Sequence, residues 1–160
     1  MTVNKVIGEF LKLPLGVQFP YYVSAVKRLG YSGFDRSFLI GTFDGVRYLI
    51  TPGDVRGIIK GSMLVSFDIK DEEEAQLQYD DILSLLKNST SFKRYSRKGT
   101  EAFKTNLLDV FDRDLIDYDC FVKFEGGKEG PNKKIVLVTL LRLFPDHYTW
   151  GLFYVDGDIL

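Results

Sequence analysis

The sequence predicts an α+β fold: a single compact domain over 1–160, its sheet mainly antiparallel and packed by amphipathic helices. Three observations lead there. Aromatic residues are plentiful (13 Phe and 9 Tyr), while Ala occurs only at Ala25, Ala75 and Ala102. Aromatics fit a pleated surface, so this balance favours sheet over a helical bundle. Asp44-Gly45 separates Ser37–Phe43 from Val46–Thr51, and Asp-Gly between two such runs is a two-residue hairpin signal. The last part of the chain reads as Cys120–Glu125, Lys134–Phe144 and Trp150–Val155, a three-stranded meander after a run of helices.

The elements follow in order. Val3, Val6, Ile7, Phe10 and Leu11 mark an amphipathic helix that stops before Pro14. Pro20 opens a second helix, with Tyr22, Val23, Val26 and Leu29 inward and Gly30 as its stop. The Asp44-Gly45 hairpin comes next. Thr51-Pro52 then reads as the start of a short helix through Val55, Ile58 and Ile59, closed by Gly61, with Met63–Ile69 as a further strand. Asp71-Glu-Glu-Glu74 opens the strongest helix, whose inner face is Ala75, Tyr79, Ile82, Leu83 and Leu86. Those acids complement the positive end of the helix dipole. Asp112–Asp119 reads as a polar bridge into the final meander. The unbroken apolar run Ile135–Leu141 predicts a central strand buried on both faces.

Composition excludes several classes. The net charge of −1 rules out general polyanion binding, so any such contact must be local. Cys120 is alone and cannot form an internal disulfide, which fits a reducing, cytoplasmic setting. The N-terminal residues lack the apolar run of a signal peptide. The longest apolar run, Ile135–Phe144, is far short of the ~20 residues that span a bilayer, so no membrane association is expected.

The chemistry is mostly negative. Gly126-Gly-Lys-Glu-Gly-Pro131 lacks the Gly-Lys-Ser/Thr ending of a phosphate loop and joins two strands. One Cys and one His cannot make a Cys/His metal site. His147, beside Asp146, reads as a surface turn residue, and no nucleophile elbow accompanies it. No catalytic residue, metal site or cofactor is therefore assigned, and a binding protein is expected rather than an enzyme.

One stretch carries a positive signal. Phe92, Lys93, Arg94, Tyr95, Arg97, Lys98 and Lys104 interleave cations with aromatics. Cations neutralise phosphates and flat rings stack on unpaired bases. Thr100 then caps a helix from Glu101, with Phe103, Leu107, Leu108 and Phe111 inward. The leading expectation is a small soluble non-enzymatic nucleic-acid-binding protein that uses this patch over 92–104. A first alternative is a protein-interaction module (inhibitor, adaptor or self-assembling subunit, including a homodimer), which exposed Tyr148, Trp150 and Tyr154 would favour. A second is a divalent-metal nuclease built from Glu101, Asp117, Asp119 and Glu125. Arg97-Lys-Gly-Thr-Glu101 resembles the start of archaeal Holliday-junction resolvases, but the strand Ile135–Arg142 has Thr139 in place of an acid and no acid-x-Lys pair.

Overall fold

The computed structural model describes residues 2–33, 38–68, 71–95, 114–124, 133–144 and 147–157. Helices α1 (Thr2–Leu11) and α2 (Phe19–Arg28) come first, followed by strands β1 (Ser32–Gly33), β2 (Leu39–Phe43), β3 (Val46–Val55) and β4 (Ile58–Ser66). Helix α3 (Glu72–Lys87) precedes β5 (Lys93–Arg94), β6 (Asp114–Phe124), β7 (Lys133–Phe144) and β8 (His147–Asp156). All eight strands form one sheet in the order β1-β2-β3-β4-β8-β7-β6-β5, and every pairing is antiparallel. The sheet is thus two four-stranded halves laid side by side, and β4 and β8 are the seam. A helix leads into each half: α2 into the first and α3 into the second.

The helices share one face. Val6, Ile7 and Phe10 of α1, Tyr22 and Val26 of α2, and Ala75, Tyr79, Ile82 and Leu86 of α3 all enter one core cluster. The sheet supplies Leu39, Tyr48, Ile50, Ile59 and Leu64 from the first half to it, and Phe121, Val136, Val138, Leu140, Trp150, Leu152 and Tyr154 from the second. Alternate residues of β6, β7 and β8 point the other way. Tyr118, Cys120, Val122, Ile135, Leu137, Phe153 and Val155 form a second buried cluster there. The strand expected to be covered on both faces is therefore β7, joined in this by β8.

Local chemistry explains most boundaries. Pro20 sits in the first turn of α2, and Gly30 after its end takes φ +106°, a conformation that other residues resist. Asp71 caps α3 by accepting from the Glu74 amide at 2.7 Å, with Glu72, Glu73 and Glu74 in the first turn. Asp44 (φ 51°) and Gly45 (φ 76°) make the expected hairpin turn. No helix among the described residues is long and apolar enough to cross a membrane.

Four expectations need correction. The short helix after Pro52 does not form: Val55 and Ile58 close a second hairpin, with Arg56 (φ 53°) and Gly57 (φ 83°) at its tip. Among the described residues β2 pairs with β3 only as far as Ile50, so Pro52 has a described strand partner on the β4 side alone, a setting that suits a residue without an N–H. The Asp54 carboxylate also accepts from the Gly57 amide at 2.9 Å and fixes the turn. Asp114–Asp119, read as a polar bridge, is the first half of β6. A bulge between Leu115 and Asp117 breaks the alternation that would have revealed it. Lys93-Arg94, read as part of a basic segment leading into a helix, is a strand. His147 is not in a surface turn: it lies within β8, opposite Phe144, and is half-buried. The expected helix from Glu101 to Phe111 lies outside the described residues.

Candidate functional site

The basic stretch begins on β5, the outermost strand of the second half. Among the described residues two pair with β6: Lys93 stands opposite Val122 and Arg94 opposite Phe121. The Tyr95 amide adds a bond to the Cys120 carbonyl at 2.8 Å. Alternation then distributes the four side chains. Phe92 packs against the helix-side core, and Tyr95 packs against the second cluster. Both rings are half-buried, and Lys93 and Arg94 are exposed.

Arg94 is committed to a partner. Its Nη2 lies 3.0 Å from Asp119 Oδ2, and its Nε donates to Asp119 Oδ1 at 3.3 Å. Asp119 is buried on β6, and its Oδ1 also accepts from the Cys120 amide at 2.8 Å. A buried carboxylate needs such donors, since leaving it unpaired is costly. Arg94 is therefore first a structural partner, though its side chain remains 58% exposed.

Three further lysines lie near this edge of the sheet, on one face or the other. Lys123 of β6 places its Nζ 6.0 Å from the Phe92 ring centroid, and Lys133 of β7 lies 5.5 Å from that of Tyr95. Each ring carries a cation over it, an arrangement worth about 0.5–1 kcal/mol at exposed sites. Lys134 faces Lys123 across the strands, but it pairs with Asp156 at 3.2 Å. The edge is therefore positive on both faces: Arg94 and Lys123 lie on the helix side, where Phe92 supports Lys123, and Lys93 and Lys133 lie on the other, where Tyr95 supports Lys133. Sequence reasoning found Lys93 and Arg94. It missed Lys123 and Lys133, because their nearness depends on the register of a two-residue strand. Arg97, Lys98 and Lys104 lie outside the described residues.

The alternative sites fare as follows. Glu101 and Glu125 lie outside the described residues, the Asp119 carboxylate is held by Arg94, and Asp117 Oδ1 accepts from the Tyr118 amide at 2.8 Å. Among the described residues no three His, Cys, Asp or Glu side chains gather as a metal site would need. Trp150 and Tyr154 are core residues and Tyr148 is half-buried, so these rings do not form an aromatic docking surface. The Trp150 indole donates to Gln78 Oε1 of α3 at 2.9 Å. Cys120 is a free, buried thiol, and burial pushes its pKa up to about 12, far from a reactive thiolate. No family model matches the chain, nor does any curated protein or solved structure.

Proposed function

We propose that this chain is a non-enzymatic binding protein that contacts nucleic-acid phosphates through the β5 edge. The observation that supports this is a pair of cations on each face of the sheet beside β5, Arg94 and Lys123 on the helix side with Phe92, and Lys93 and Lys133 on the other side with Tyr95. Neutralising phosphates releases counterions and does not depend on sequence. Phe92 and Tyr95 are half-buried beneath lysines, so base stacking contributes little to this reading and strand tolerance is expected.

The test is fluorescence anisotropy with labelled single- and double-stranded DNA and RNA across a salt series. With about three phosphates neutralised, the log–log slope on duplex DNA is expected near −3. Lys93→Gln with Lys133→Gln should weaken binding about tenfold at low salt and flatten the slope by roughly 2. Arg94 is left in place because Asp119 depends on it. No binding at low salt, or a slope unchanged in the double variant, would overturn the assignment.

A further inference from the structure

A cleft of about 260 Å³ opens on the helix side, between α1, the C-terminal end of α3 and the Phe92 region. Its apolar wall is Ile7, Leu11, Leu85, Leu86 and Phe92. Ile7 and Leu86 belong to the core, while Leu11, Leu85 and Phe92 are only half-buried. The polar lining is Asn4, Lys12, Ser89, Ser91 and Lys123. It holds two ammonium groups and no carboxylate. Neither lysine makes an ion pair among the described residues.

Gly8 completes the cleft, and it is the residue hardest to explain by folding alone. It lies inside α1, where glycine costs about 1 kcal/mol relative to alanine. Apart from its chain neighbours and the helix's own backbone, nothing lies within 4 Å of where a Cβ would stand. Neither a close approach nor a positive φ requires glycine there. Its smallness leaves the cleft open.

The end of α3 does not oppose an anion strongly. The Ser84 and Leu86 carbonyls already accept from the Asn88 and Ser89 amides at 3.0 and 3.2 Å. Lys87 in the last turn also offsets the negative end of the dipole.

We infer that this cleft binds a small amphiphile with one carboxylate on an unbranched apolar body. The body would lie along Leu11, Leu85 and Phe92, and the carboxylate would sit between Lys12 and Lys123. At the ~30 Å³ a water molecule takes in the liquid, the volume suits about nine non-hydrogen atoms. Octanoate is a fitting probe.

The experiment is an amide NMR titration of the full chain with octanoate, octanol and octylamine. Octanoate should shift the Gly8, Lys12, Ser91 and Phe92 signals saturably, with a Kd below about 1 mM. Octanol and octylamine should bind about tenfold more weakly or worse, for want of the charge-assisted contact. Gly8→Leu should abolish octanoate binding while keeping spectral dispersion and a melting temperature at or above that of the parent. Lys12→Gln with Lys123→Gln should weaken octanoate about tenfold or more and leave octanol unchanged. Absence of saturable shifts, equal binding of octanol, or retained binding in the Gly8→Leu protein would each overturn the inference. Gly8→Leu leaves the β5-edge cations untouched, so failure here is separable from failure of the nucleic-acid reading.

Discussion

Arg94 shows how a residue picked for its charge can have a second employer. Its guanidinium satisfies a carboxylate that β6 buries beside Phe121, and that contact joins the edge strand to the sheet. Arg94→Ala should destabilise the fold by about 1–3 kcal/mol, since the buried Asp119 side chain loses its guanidinium donor. The double change Arg94→Ala, Asp119→Asn should recover part of that loss. Urea unfolding of the single and double variants checks both. A second residue-scale test concerns the only tryptophan. Gln78→Ala removes the acceptor for the buried Trp150 indole and should cost about 1–3 kcal/mol. Trp150 reports its own unfolding by fluorescence, so the same denaturant titration measures it. The pairing of Arg94 with Asp119 was not legible in the sequence. The two residues lie far apart in the chain, and only strand register brings them together.

Elements were legible where one signal dominated. The faces of α1, α2 and α3 follow the apolar spacing, and Asp44-Gly45 announces its own turn. They were obscure where two signals competed. At Arg56-Gly57, the apolar residues Val55, Ile58 and Ile59 fit a helix repeat as well as two strand ends, and only the two positive φ angles decide it. Arg56 pays a steric penalty there that Asn or Gly would not. Arg56→Asn should therefore raise stability by about 0.5–1 kcal/mol, visible as a higher melting temperature, while Gly57→Val should lower it by about 1–2 kcal/mol. The start of β6 was hidden by its bulge, and β5 by being two residues long. The candidate site inherits that difficulty: its cations were half visible, and the strands that gather them were not.

At the scale of the whole molecule, buried ionisable groups set a limit on alkaline stability. Burial raises the Cys120 thiol from its ordinary value near 9 to about 12, and burial likewise raises the Tyr22 and Tyr31 phenols. In each case the unfolded chain releases its proton at lower pH than the folded one. The stabilisation is complete below the unfolded values and is lost as pH climbs toward the folded ones. The urea midpoint should hold steady up to about pH 8 and fall progressively above 9. Native Cys120 should react with a thiol reagent only after unfolding. The seam offers another test, because a Cβ on Gly61 would stand 2.8 Å from Val155 Cγ1. Gly61→Ala should cost about 1–3 kcal/mol, read by thermal melting.

That seam also governs the order of events during synthesis. The hairpins within each half join neighbours in sequence and can form as soon as they leave the ribosome. The β4–β8 ladder, where Leu64 meets Leu152, must wait until nearly the whole described chain has emerged. Until then β4, paired with β3 on one side, is an open edge on the other, and another nascent copy's β8 could complete it just as well. Crowded translation would favour such exchanged dimers, and the delay before β8 arrives is the interval in which a chaperone would matter most to this fold.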